Sequence, residues 1–168
     1  AFIPSHLEAR TQVLLRMAMQ SRPAASDGTG YIYALKLVDT AHPDIVRIKV
    51  GRSVHVCRRI SEHRRRCPSF KPRLLGTYPP ATHGIYPIGV RYSHLLERLV
   101  HLELTDLAAQ SNPAHRKATR PRCQDCGSRH VEIFTFKRMP GTPVDWHWQH
   151  VIRAAFQRWG RFVTEHVA

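Results

Sequence analysis

Two segments rich in β-branched and aromatic residues, 31–38 and 45–50, are joined by Thr40-Ala41-His42-Pro43-Asp44, and this arrangement limits the fold more than any other stretch. A short connection carrying proline and aspartate favours a turn, so the two segments predict an antiparallel β-hairpin. In its second strand the period of two places Arg47 and Lys49 on one face and Val46, Ile48 and Val50 on the other. The expectation is a hairpin with one basic face and one core face, its second strand ending at Gly51.

Helices are expected around it. Ser5-His6-Leu7-Glu8 has the spacing of a capping box, and Leu7, Leu14, Met17 and Ala18 continue at helical period, predicting a helix over 5–19. Residues 21–30 are rich in Pro, Ala, Ser and Gly and read as a linker between that arm and the main domain. Ser53 is placed to cap a helix running to Arg66, with Val56 and Ile60 turned inward. On that helix Arg59, His63 and Cys67 follow one another at intervals of four and so share a face. A third strand is expected over 74–78, a helix over 92–109 with Leu95, Leu99 and Leu102 as its buried stripe, a polar loop over 111–122 and a fourth strand over 131–136. Thr142-Pro143-Val144-Asp145 carries strong start signals for a last helix. Its Trp148, Ile152, Ala155, Trp159 and Phe162 fall at helical spacing and read as core packing, not base stacking.

The expected fold is therefore α/β in the broad sense and α+β in detail: a small, mainly antiparallel sheet of three to four strands flanked by helices. Residues 1–29 form an N-terminal helix and linker, 30–140 the central domain, and 141–168 a C-terminal helix packed on it. At 168 residues and 42% hydrophobic, the chain can bury one sizeable core.

Lys and Arg number 26 against 12 acidic residues, a formal charge of +14, with the surplus in runs such as Arg58-Arg59 and Arg64-Arg65-Arg66. Such an excess points to a polyanionic partner. No apolar stretch approaches the roughly 20 residues that span a bilayer, and the first residues do not read as a secretion signal. The expectation is a soluble intracellular protein, nuclear in a eukaryote, acting on nucleic acid and not on membranes.

Cys123-Gln124-Asp125-Cys126-Gly127 is a CxxC turn followed by glycine, a backbone shape that wraps a metal and donates N–H bonds to thiolates. It follows a basic loop, not the βαβ setting of a redox pair, and disulfides are the minor alternative. His130 follows Cys126 by four residues and Cys67 ends the helix bearing Arg59. Cys67, Cys123, Cys126 and His130 thus make a tetrahedral set for structural zinc, with His101 the rival fourth ligand. Cys57 reads as a core thiol.

Gly30-Tyr31-Ile32-Tyr33 opening a strand, Lys49-Val50-Gly51 closing the next, and Arg59 and His63 on the following helix resemble the GIY-YIG nuclease superfamily. Within it the chain is most similar to the branch of phage DNA-binding domains and their fungal relatives with a CxxCG insertion. There lysine replaces the second signature tyrosine and the later helix reads like Leu96-Glu97-Arg98-Leu99-Val100-His101. Glu132-Ile133-Phe134 also looks like this branch. The resemblance covers about residues 30–136, extending in the fungal version through the tryptophan-bearing last helix.

The resemblance implies that Tyr33 helps deprotonate water, Arg59 stabilises the phosphoryl charge, and Glu97 holds one Mg²⁺ or Mn²⁺ near the leaving oxygen. His63 would support as acid or base. Arg47, Lys49, Arg52, Arg58 and His101 would contact nucleic acid, DNA before RNA. The leading expectation is a DNA-binding domain with a GIY-YIG-type site and divalent-metal-dependent endonuclease activity. The alternatives are a non-catalytic DNA- or RNA-binding module using the same basic face, and a zinc-stabilised protein-interaction domain.

Overall fold

A computed structural model describes residues 2–113 and 122–167. A four-stranded antiparallel sheet in the order β3-β1-β2-β4 forms its centre. The strands are β1 (Tyr31–Leu37), β2 (Ile45–Ser53), β3 (Arg73–Tyr78) and β4 (Ile133–Lys137). Helix α1 (Ala9–Gln20) precedes them, α2 (Val56–Arg66) follows the hairpin, α3 (Ser93–Ser111) joins β3 to β4, and α4 (Arg153–His166) ends the chain. The fold is thus the expected α+β one. No helix among the described residues is long and apolar enough to cross a membrane.

Both faces of the sheet are covered. On one face Ile32, Ala34, Ile48, Val50 and Phe134 pack against Leu96, Leu99 and Leu104 of α3 and Phe156 and Trp159 of α4. The buried Trp159 N–H donates to Glu103 at 2.7 Å, which satisfies the one polar atom that ring brings into the core. On the other face Tyr33, Leu35 and Leu37 pack against Val56 and Ile60 of α2. The second face is therefore not an open basic surface as the alternation of β2 predicts. Lys49 is 7% exposed, and Arg47 is paired with Asp39 at 2.9 Å.

Several other local expectations give way to tertiary contacts. The capping box at Ser5 does not form. Helix α1 starts at Ala9, and the Glu8 N–H donates to Asp106 of α3 at 2.7 Å instead. With Leu15 and Ala18 fully buried, α1 is part of the core. The segment after it is not a free linker: Asp27 accepts bonds from the N–H groups of His94 and Leu95 at 2.9 and 3.0 Å and so caps α3 from outside. Strand β2 runs through Gly51 to Ser53. Thr142-Pro143-Val144-Asp145 stays outside the helix, with the Asp145 carboxylate bridging Arg73 and Lys36, and helix begins at Trp146, passing into a π-helical turn at Trp148. Cys57 is exposed and not a core thiol. The expected loop over 111–122 falls largely on 114–121, outside the described residues, while Ser111 still belongs to α3.

Small and large residues interlock where the last helix meets β3. A Cβ on Gly160 would stand 2.1 Å from the Tyr78 ring, and one on Gly76 would stand 2.2 Å from the Trp148 ring. Alanine in a helix gains about 1 kcal/mol over glycine, whereas overpacking costs about 1–3 kcal/mol. A ring edge cannot yield as a flexible chain end does, so the clash dominates. Gly160→Ala is expected to lower the thermal midpoint by a few degrees; a rise in calorimetry would disprove this packing argument.

Candidate functional site

The hairpin register sets Tyr33 opposite Gly51. A Cβ at Gly51 would stand 2.7 Å from the Tyr33 hydroxyl oxygen, so glycine is what lets the phenol lie across β2. The ring is buried, at 1% exposure, and its hydroxyl reaches α2, where it is 2.8 Å from Nε2 of His63. Arg59, one turn earlier on the same helix face, is directed at the same hydroxyl. It is also held at 3.0 Å by Glu62. A guanidinium only donates, so the Arg59 charge faces the phenol oxygen, an arrangement that suits a Tyr33 O–H turned toward the His63 tautomer that accepts at Nε2.

Burial pushes the Tyr33 phenol up to about 12, with the Arg59 hydrogen bond and charge opposing it. Burial, and then the charges of Lys49 and Arg59, pull His63 down to about 4. Both groups are neutral near pH 7, a phenol donor against an imidazole acceptor.

Acidic groups adjoin this triad. Glu97 stands one turn into α3 and accepts a bond from the Arg52 backbone N–H. Burial first, with the Glu132 charge adding to it and Arg52 opposing, holds its carboxyl above the ordinary value. Glu132, just before β4, accepts from the Lys49 ammonium at 2.9 Å. Burial works against its charge, but the hydrogen bond and charge of Lys49 lead the contributions that outweigh it and hold this carboxyl low. Glu132 is the group the residue-by-residue reading left out of the site. Its sequence signal is an acid placed at the mouth of a strand, next to the position that pairs with Lys49 of β2.

The expected nucleic-acid contacts are distributed unevenly. Arg52 donates to Ser93 at 3.0 Å beside Glu97. Arg58 is on the outer side of α2, its side chain 75% exposed. His101 bonds the Val50 carbonyl through Nε2 at 3.0 Å and lines a shallow hollow of about 320 Å³ with Glu97, His94 and Arg98. Arg47 pairs with Leu37 at the far end of the hairpin, away from Tyr33.

At the other end of α2 the sulfur ligands converge. Cys67 caps the helix, and ligand atoms of Cys67, Cys123, Cys126 and His130 all lie within 4.8 Å of one another. The Cys67 and Cys123 sulfurs are 3.8 Å apart, and Nε2 of His130 is 3.6 Å from Cys67 and 3.4 Å from Cys126. A tetrahedral ion with metal–sulfur bonds of about 2.3 Å has S···S edges of about 3.8 Å. The cluster could therefore hold a metal such as zinc, and the fourth member is His130; His101 is engaged with Val50.

The turn around the cluster is formed by its own backbone. Gly127 N–H donates to the Cys123 carbonyl at 2.8 Å, with Gly127 at φ +69°, a conformation glycine adopts without strain. Asp125 ties the turn to Ser69 by bonds of 3.0 and 2.7 Å. The Ser128 backbone N–H leads in pulling the Cys126 thiol down to about 6, favouring thiolate, while burial leads in pushing Cys67 up to about 12.

No curated protein and no solved structure matches this chain. A family model described as Meiotically up-regulated gene 113 matches residues 45–162, more than half of the 168 residues. That span runs from β2 to α4 and includes Lys49, Arg59, His63, Glu97, Glu132 and the whole Cys/His cluster, with Tyr33 upstream of it. The chain belongs to the Meiotically up-regulated gene 113 family.

Proposed function

We propose that this chain is a nucleic-acid-binding domain, for DNA before RNA, whose GIY-YIG-type site cleaves phosphodiester bonds with the aid of a divalent cation, and that structural zinc fills the Cys67, Cys123, Cys126, His130 cluster. The observation carrying the reading is the Tyr33 hydroxyl, bonded to neutral His63 at 2.8 Å with Arg59 at the same oxygen. The charge of +14 supplies the general attraction for a polyanion. It fits an intracellular protein, nuclear in a eukaryote.

In cleavage, a phenol held near 12 is a poor free base, so a relay suits this site better than preformed phenolate. The attacking water gives its proton to the Tyr33 oxygen as Tyr33 passes its own to Nε2 of His63. Burial, and after it the charges of Lys49 and Arg59, weaken His63 as a base. A bound phosphate offsets those charges and raises the basicity when substrate is present. Arg59 carries the charge that develops on the phosphoryl oxygens.

A divalent cation fits Glu97. Its half-buried carboxyl lies above the ordinary value, the mark of a negative charge short of compensation. Mg²⁺ is commonly held by one or two carboxylates together with substrate phosphates. Glu97 would hold Mg²⁺ or Mn²⁺, which when bound supplies positive charge to the departing oxygen.

A nicking assay on supercoiled plasmid with Mg²⁺ or Mn²⁺ tests the activity. Glu97→Gln is expected to slow nicking on the order of 10²-fold while leaving the salt dependence of binding unchanged. Equal rates in the two proteins would sink the catalytic assignment. One observation favours the binding-only reading: Lys49 stands in the second tyrosine's place, is buried, and is engaged by Glu132. Salt-sensitive binding with no nicking by the wild type would select that reading.

A further inference from the structure

Residues 79–92 connect β3 to α3; Tyr86 packs against the Tyr33 cluster and Val90 is buried in the core, but two isoleucines between and beside them point outward. Ile85 is 73% exposed and Ile88 is 89% exposed. An isolated exposed isoleucine means little, but these two stand on a loop that is pinned. Thr82 and Ile85 exchange both backbone hydrogen bonds at 3.0 Å around His83 and Gly84. Both central residues have positive φ, +51° and +76°, which makes this a tight type I′ hairpin turn.

Farther along, the Tyr31 hydroxyl donates to the Pro87 carbonyl at 2.5 Å, and the Tyr31 and Tyr86 rings meet edge to face at 5.4 Å. Gly30 and Val90 then exchange backbone bonds of 3.0 and 2.8 Å. Gly89 passes so close to the Gly30 carbonyl that a Cβ would stand 2.7 Å from it. The loop is thus fixed to the start of β1, two residues before Tyr33, and presents its isoleucines to solvent.

Cations stand on both sides of the loop's base. Arg52 and Arg91 lie where the loop enters α3, the latter stacked on Tyr92 at 4.8 Å. On the other side Tyr86 packs against the cluster of Tyr33, Val56 and Ile60, on the helix that carries Arg58 and Arg59. A rigid apolar tip between phosphate-binding charges matches the way proteins open a nucleic-acid duplex. Apolar side chains enter between bases while cations hold the backbone, and their burial offsets the unstacking.

We propose that Ile85 and Ile88 form a wedge that enters an opened base step beside the phosphate held by Arg59, so that the site selects nucleic acid carrying a mismatch or branch over perfectly paired duplex. The inference rests on the nucleic-acid reading above. It adds a substrate class and the residues that select it.

The test uses a short paired duplex bearing 2-aminopurine and the same duplex with one mismatch next to that base, without added divalent cation. The wild-type protein is expected to bind the mismatched duplex on the order of tenfold more tightly and to raise the 2-aminopurine emission as the base unstacks. In Ile85→Ser/Ile88→Ser the preference falls to about twofold or less, while affinity for the paired duplex and its salt slope persist. Both positions are solvent-exposed, so the fold should tolerate serine, and circular dichroism checks it. Equal affinity of the wild type for the two duplexes, or a preference kept by the double variant, overturns the wedge and leaves the phosphate site standing. Failure of the wild type to bind either duplex overturns the nucleic-acid reading with it. Loss of self-association or of a protein contact in the double variant, with duplex preference intact, assigns the tip to a protein surface and also overturns the wedge.

Discussion

Cys126→Ser is expected to empty the Cys/His cluster of metal and to lower the thermal midpoint by about 10 °C, because a structural ion's binding energy is stability of the folded state alone. Removing one of four ligands leaves a weak site, and a loss of about 3–5 kcal/mol corresponds to roughly 10 °C for a chain of this size. Cys126 is the informative position because it is only partly buried. Serine at buried Cys67 or Cys123 would add the cost of a hydroxyl in the core and confuse the two effects. Metal analysis of the wild type should give about one zinc per chain, the occupancy of a single tetrahedral site. Chelation should reproduce the variant's melting curve in the wild type and leave the variant unchanged. Cys126→His, which restores a ligand, should recover most of the midpoint. A wild-type stoichiometry near zero with the same melting curve in chelator would dispose of the metal.

What the ion would join explains why the loss is large. Cys67 ends α2, the CxxC turn lies in the loop before β4, and His130 stands just ahead of that strand. Besides the ligands themselves, the connection includes the edge-to-face contact of Phe70 with His130 at 5.7 Å, Asp125 to Ser69, and an exposed bond from Arg66 to Ser128 at 3.1 Å. Exposed polar contacts of this kind are individually worth about 1 kcal/mol or less.

Sequence reading succeeds here where a signal is local and fails where a distant partner decides. The hairpin, α2 and α3 are legible because period and turn chemistry act over a few residues. The set Cys67, Cys123, Cys126 and His130 is legible because metal chemistry restricts residue type so strongly. Its fourth member was ambiguous because spacing along the chain does not say that His101 lies over Val50.

Lys49 shows the opposite case. Alternation assigns it a face, but whether that face is open depends on α2 covering it and on Glu132, 83 residues away, meeting its ammonium. Gly51 reads locally as a strand end, yet β2 continues because the Tyr33 ring needs a residue without a side chain opposite it. The start signals at Thr142 lie a few residues too early: the helix begins at Trp146, with the Gln149 N–H donating to the Asp145 carbonyl at 3.0 Å, while the Asp145 carboxylate is drawn to Arg73 and Lys36. The π-helical turn then begins at Trp148, whose ring packs against Gly76.

Arg59→Ala is expected to reduce cleavage by about 10³-fold, the scale at which an arginine placed on a transferring phosphoryl group contributes. Its position supports so large an effect. The guanidinium is half exposed, with its side chain at 46%, steadied by Glu62 on one side and the Tyr33 oxygen on the other. An exposed ion pair with Glu62 contributes little stability, so the variant should fold and melt as the wild type does. Binding should weaken only modestly, because one phosphate contact among many is lost and the salt slope falls by about one contact. The fall should therefore be in kcat, with KM nearly unchanged, as for a group that acts on the transition state. Arg59→Lys should recover little. An ammonium keeps the charge but lacks the fork that engages Tyr33, Glu62 and a phosphate together. A variant that cleaves at the wild-type rate would remove Arg59 from the chemistry. One that loses binding and rate in equal proportion would place it in substrate capture instead.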